Sequence, residues 1–483
     1  MINMKKLNIN KLTIAALIGI SVMGCTNDIL NPVPQTSVSD LSAYDTPDRV
    51  ESLVNGLYRG VKNGNFLGGR YWIYNDIRGE EFINQTNNGV TGLQTWNFTI
   101  NSSSNEVANL WGSAYAAINN INLFLDKVDA APAKLTPDKI ANYKGEARFL
   151  RALSYFSLVN IYCQPYTKDN GASLGLPLRL VGENGAGNSN NLKRSTVAEV
   201  YAKIIEDLNF AETNLPSNYS TSDLNVTRAH KNAAIAIKTK VYLAMGKYAE
   251  VVTEGNKIVS SSAPFKASSG VKHELNSNFA AIFTSYKTLE SIFSLPMATN
   301  DAPGTQNQLA FYWLAGPVGG GEFSLNASGI LGDPAFSADD DRKKLTAASG
   351  TRTYLTKFPG ASPFIDWVPV IRYAEVLLNV AEAKARLGSG VDATALEILN
   401  AVRTRSKGSV ITAENQTELV NAILKERRIE FLGEGKRSFD VTRLNQPFPA
   451  KGSVNAVTTA QSEYIWPIPT TELAVNKDCQ PNP

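Results

Sequence analysis

Cysteine, histidine and charge of one sign are all scarce in this 483-residue chain, and each scarcity removes a class of function. Only three cysteines and two histidines are present. His230 and His273 stand alone, and no HExxH, CxxC or P-loop pattern surrounds them. Zinc, phosphate-transfer and serine-hydrolase chemistries are therefore not expected. Gly316–Gly321 is glycine-rich but follows no strand-to-helix pattern, so it does not read as a dinucleotide loop. Asp339–Asp341 lacks the spacing of an EF-hand loop, and the cluster Asp339–Lys344 reads as a solvated turn. No long apolar run follows the N-terminus, which excludes a polytopic membrane protein. The formal net charge is +3. Lys5, Lys6 and Lys11 account for all of it, so the rest of the chain is neutral and nucleic acid is not an expected partner. No catalytic residue, metal or cofactor is expected.

What the N-terminus does hold is an address. Met1–Lys11 is basic, Leu12–Met23 is an apolar core too short to span a bilayer, and Gly24–Cys25 follows. Residues 1–24 read as a secretory signal peptide. Val22 and Gly24 before Cys25 make its end similar to a lipobox, so Cys25 is the expected lipidation site. Each buried CH₂ contributes about 0.8 kcal/mol, so several acyl chains hold a soluble domain on a membrane. Residues 25–45, punctuated by Pro32 and Pro34, read as a tether. Cys163 and Cys479 are far apart in sequence and are expected as separate thiols rather than a bridge.

The body, residues 46–483, is predicted to be mainly α. Its most organised stretch is Tyr143–Tyr162, where Phe149, Leu153, Phe156 and Val159 recur at helical spacing, widened by Leu150, Ala152, Leu158 and Tyr162. A stripe that broad belongs to a helix packed on several sides. Ala229–Ser260 and Arg372–Arg405 each read as two helices around a break, at Met245–Lys247 and at Gly388–Gly390. Their small residues and glycine breaks suggest tetratricopeptide-like hairpins. Alone, each would leave an apolar face wet, so the hairpins should stack. Thr46 with Pro47, and Thr136 with Pro137, mark helix starts. The helical scaffold is expected mainly over residues 106–260 and 367–443. Two stretches, 62–105 and 261–366, read as irregular insertions with short strands, the kind of segment on which rigid scaffolds carry function.

Several stretches together resemble the SusD/RagB family of surface lipoproteins: Gly145–Tyr162, Thr196–Pro216, Val241–Val251, Ile371–Gly388, Leu399–Ser406, Ile423–Arg443 and Tyr464–Leu473. The resemblance covers essentially the whole mature chain. It implies a helical protein, lipid-anchored at the outer membrane and facing the cell exterior. Such a protein captures an oligosaccharide and passes it to a SusC-like TonB-dependent transporter, without performing chemistry. Peptide capture is the alternative within the same family.

A glycan surface needs exposed rings for C–H faces and polar groups for hydroxyls. Trp111, Trp367 and Trp466 are expected to pack. Trp72, Trp96 and Trp313 lie in the insertions and are the expected platforms. Asn75, Asp76 and Arg78 are the expected polar neighbours, with Tyr312 beside Trp313 and Gly319–Gly321 allowing close approach. Glu426 and Glu430 sit i,i+4 on one helix, so they are expected to form ion pairs with Arg427, Arg428 and Arg437 rather than to face each other across a hydrolytic cleft.

Overall fold

The protein, as a computed structural model, is described over residues 42–131, 133–184 and 190–482. The expected signal peptide, Cys25 and nearly all of the tether lie outside the described residues. In chain order the longer helices are α1 (Pro47–Val61), α2 (Arg70–Ile77), α3 (Asn105–Lys127), α4 (Pro137–Tyr162), α5 (Val197–Asn214), α6 (Lys231–Ala244) and α7 (Tyr248–Gly255). They continue with α8 (Tyr373–Leu387), α9 (Ala393–Arg405), α10 (Gln416–Glu430) and α11 (Arg437–Arg443).

The helix starts follow their sequence signals. The Thr46 hydroxyl accepts from the Arg49 amide and the Thr136 hydroxyl from the Lys139 amide, each with proline at the first helical position. Thr196 and Glu199 form a reciprocal capping box at the head of α5. Helix α4 is the pivot. From Gly145 to Val159 every residue except Arg148 is buried, because α1, α3 and α5 all pack on it. Its charges are matched inside. Glu146 accepts from Arg228 Nε at 2.6 Å and from the Tyr58 hydroxyl at 2.5 Å, and Arg151 donates twice to Asp207 at 2.7 and 2.9 Å. Such pairing is what lets ionised groups sit in a low-dielectric interior.

Stacking follows as predicted. Helix α6 packs on α5 and α7, α7 on α8, and α8 on α9 and α10, so each hairpin covers the apolar face of its neighbour. Gly246, at φ +69°, makes the turn between α6 and α7.

Among the described residues six short strands lie in the insertions and at their edge: β1 (Phe82–Asn84), β2 (Ser291–Leu295), β3 (Phe323–Leu325), β4 (Thr346–Ser349), β5 (Arg352–Leu355) and, just after the second insertion, β6 (Val368–Arg372). Strand β1 pairs antiparallel with β3, placing Phe82 opposite Leu325 and Asn84 opposite Phe323. The two insertions are thereby one body. Strand β2 pairs with β6, which runs directly into α8, and β4–β5 is a hairpin.

A buried ionic network fastens that body to the helices. Glu430 accepts from Arg342 at 2.9 Å, Arg372 at 3.0 Å and Arg405 at 2.7 Å. Glu426 pairs with Arg403 at 2.7 Å and with Arg342, while Glu434 pairs with Arg372 at 2.8 Å and Lys357 at 3.0 Å. Glu290 joins through Arg372 and Arg405, and Asp340 through Arg342. Five cations thus meet five carboxylates, and only a balanced set can remain ionised away from water. The expectation of ion pairs at Glu426 and Glu430 holds, but with different partners. Arg427 serves Asp440, Arg428 serves Glu80 and Glu81, and Arg437 serves Glu80. The solvated turn expected at Asp339–Lys344 is corrected in the same way: Asp340 and Arg342 are buried in this network.

Candidate functional site

The seven expected ligand contacts are all interior, which corrects the premise that the insertion rings stand exposed. Trp313 is fully buried, stacked on Phe82 with ring centres 4.3 Å apart, and Tyr312 stacks on Phe323 and donates to the Gln306 carbonyl at 2.9 Å. Trp96 donates its indole N–H to the Phe82 carbonyl at 2.8 Å, and Trp72 donates to the Leu67 carbonyl at 2.7 Å. The structure does bring Tyr312, Trp313 and Trp96 together, around the β1–β3 pair, but as the core that welds the insertions.

The polar members are equally engaged. The Asn75 amide donates to the Tyr71 carbonyl at 2.8 Å. Asp76 accepts the Gly435 amide at 2.7 Å, and burial pushes its carboxyl up to about 7 against the pull of that bond. Gly435 is at φ +69°, and a Cβ there would lie 2.6 Å from Trp72 Cα, so only glycine lets the two segments meet this closely. Arg78 donates to the Tyr464 carbonyl at 2.5 Å and lies 4.5 Å from the Phe448 ring centre; burial draws its pKa down to about 10.

The partly open rings are others. Of the six tryptophans, only Trp367 is not buried. It was expected to pack, yet it sits at the entry to β6, and the Tyr286 ring meets it edge-on at 5.6 Å. The Tyr286 hydroxyl donates to Asp223 at 2.8 Å, and burial together with that carboxylate pushes its pKa up to about 12. Three residues before Trp367, half-buried Phe364 meets half-buried Phe311 edge-on at 5.8 Å. Gly320 permits this: a Cβ there would approach the Phe311 ring to 2.7 Å. Leu289, Ile365 and Val318 stand exposed on the same insertion. Tyr286, Phe364 and Phe311 on the second insertion, with Trp367 just after it, thus offer two pairs of partly open rings. Rings of this kind can stack on the C–H face of a sugar while neighbouring polar groups read hydroxyls. The signal missed in the sequence was position: a residue leading into a strand faces out as readily as in.

Hydrolytic chemistry finds no free pair at the expected carboxylates. Glu426 and Glu430 are buried and wholly spent on arginines. Gly171–Gly175 (GASLG) does spell the G-x-S-x-G pattern of hydrolase nucleophiles, contrary to the expectation that serine-hydrolase residues are lacking. There, however, Ser173 donates to Asp169 at 2.5 Å. Both histidines lie elsewhere, buried and stacked on each other at 5.5 Å, against the Ile292 and Leu289 carbonyls. Cys163 and Cys479 are free buried thiols, as expected. Among the described residues no group of three or more His, Cys, Asp or Glu side chains could hold a metal ion.

Comparison with known proteins places these features in a family. Residues 30–243 match a family model described as SusD-like, starch-binding and associating with the outer membrane, and residues 365–483 match that of the SusD family. A SusD superfamily protein from Bacteroides fragilis of known structure is 34% identical, with a TM-score of 0.80 over 90% of this chain and 99% of that one. SusD-like protein P2 of Formosa agariphila is 24% identical over 98% of both chains. A laminarin-binding SusD-like protein, 23% identical, shares the fold with a TM-score of 0.70 over 91% of this chain and all of that one.

Proposed function

Because the chain belongs to the SusD family, we propose that it captures an oligosaccharide at the cell surface and passes it to a SusC-like TonB-dependent outer-membrane transporter. The observation that carries the reading is two partly open ring couples on and just after the second insertion, Tyr286 with Trp367 and Phe311 with Phe364. Capture is by stacking and hydrogen bonding, with no bond made or broken in the sugar. The description of the family model as starch-binding, and the laminarin binding of a protein with this fold, favour a neutral glucan as ligand. Acylation of Cys25 supplies the hold on the outer membrane. No helix among the described residues is long and apolar enough to cross a bilayer, and the lipid makes one unnecessary.

Isothermal titration against laminari- and malto-oligosaccharides and a peptide mixture tests this. Binding to a glucan, weakened at least tenfold by Trp367→Ala with unchanged thermal stability, is the expected result. Base–aromatic stacking on single rings is worth about 1–3 kcal/mol, and a comparable loss is expected for sugar stacking. Binding to peptides alone would replace the glycan reading with peptide capture.

A further inference from the structure

Away from the aromatic face, helices α7, α8, α10 and α11 enclose a cleft of about 860 Å³. Its walls include three guanidiniums, each pinned from behind by a buried carboxylate. Arg386 Nε donates to Glu382 at 2.8 Å and Arg428 Nε to Glu81 at 2.7 Å. Arg437 donates twice to Glu80, at 2.9 and 2.7 Å. Glu80, Glu81 and Glu382 are all buried. This fixes the three forks and leaves both Nη atoms of Arg386, and Nη1 of Arg428 and of Arg437, with no hydrogen-bonded protein acceptor among the described residues. Lys425 stands at the rim, and the Tyr248 ring lies 5.5 Å from the Arg386 guanidinium. A second observation points the same way. Arg427, 1% exposed, has an Nη2 with no partner, and it lines a small cavity whose walls share Arg428 and Arg437 with the cleft.

We propose that this cleft binds an anionic saccharide, its charged groups being uronate carboxylates or sulfate esters that pair with the Arg386, Arg428 and Arg437 forks along the cleft wall. Oriented guanidinium forks recognise oxyanions through paired N–H bonds, and a fork already held in place loses little freedom on binding. Buried carboxylates orient the arginines without covering their outward donors. The volume suits a short saccharide, with the Tyr248 ring for a C–H face. A neutral sugar would leave these donors unused. The inference goes beyond the neutral-glucan reading: it adds a second, charged class of saccharide on a different surface from the aromatic face.

Titrations of the purified mature chain with trigalacturonate, a sulfated carrageenan tetrasaccharide and laminaritriose test it. Arg386→Gln and Lys425→Gln are the variants. Glu382 keeps two bonds to Arg443 when Arg386 is replaced, at 2.8 and 2.7 Å, so the fold should survive; thermal melting checks this. The expected result is binding of at least one anionic probe, weakened about tenfold by Arg386→Gln and by raising salt from 50 to 500 mM. Which anion binds identifies the group, and binding of both supports a general oxyanion site. Failure of both anionic probes to bind, or binding untouched by both variants, would overturn the proposal. Laminaritriose binding should respond to Trp367→Ala and not to Arg386→Gln, so failure of the aromatic face and failure of the cleft give different results.

Discussion

Replacing Glu430 by glutamine removes one charge from the centre of the ionic network while keeping the side chain's shape. Three arginines converge on this carboxylate, and it has no exposure to water that could take over their solvation. In the Glu430→Gln chain five buried cations face four carboxylates. Removing one partner of a buried pair costs about 3–5 kcal/mol, because the orphaned charge stays behind. For roughly 440 folded residues, at about 2.1 cal/mol/K each, the unfolding entropy is about 0.9 kcal/mol/K, so the midpoint should fall by about 3–5 °C. The arginines hold the Glu430 carboxyl well below its ordinary 4.5. A group depressed on folding contributes above its unfolded pKa and loses that contribution as pH drops toward the folded value. The wild type should therefore lead the variant fully at pH 7, and the gap should narrow progressively as pH falls below about 4.5. Differential scanning calorimetry between pH 7 and pH 3 measures both effects. A shift under about 1 °C at pH 7, or a gap that widens on acidification, would show that the network is not ionised as drawn.

Trp313→Ala should destabilise the fold by about 3–5 kcal/mol, since the ring is fully buried against Phe82, while Trp367→Ala should leave the melting midpoint nearly unchanged; equal shifts would refute the assignment of one to the core and the other to the surface. Burial lowers the pKa of His230 to about 4 and of His273 to about 3, so the unfolded chain takes up protons near pH 6.5 that the fold refuses. Stability should decline from pH 6.5 toward pH 4, and less steeply in His273→Gln; parallel declines would count against the idea. Burial pushes the Cys163 thiol up to about 12 and Cys479 up to about 11. A thiol reagent at pH 8 should label them only on unfolding, and rapid labelling of the native chain would contradict the burial.

The helical frame was legible because its signals are local. Thr46 and Thr136 announce their helices within a few residues, and the broad stripe of α4 foretells packing on several sides. Ion pairing at Glu426 and Glu430 was legible as chemistry, but its partners were not. Arg342 is 84 residues from Glu426, and nothing local links them. The errors at Trp96 and Trp313 have the same origin, while Trp72 is closed off by Gly435, also remote in sequence. The exposure of the first two depends on whether residue 82 meets residue 325, and strand pairing over that distance leaves no periodic trace. An aromatic in an irregular segment can plug a core or face water, and composition does not distinguish the two. The cleft at Arg386, Arg428 and Arg437 is not legible in the sequence: Arg428 and Arg437 read there as partners of Glu426 and Glu430, and only the fold sets Glu80, Glu81 and Glu382 behind the three arginines.

The β1–β3 pairing constrains how such a protein can be re-engineered. Phe82 on one segment and Trp313 on the other share a single stack, and Thr91 of the first donates to Glu322 of the second at 2.6 Å. Grafting only one of these segments from a relative would sever the stack and strand a buried carboxylate. Chimeras intended to change ligand preference must exchange both segments from the same donor, as though they were one gene cassette split by the intervening helices.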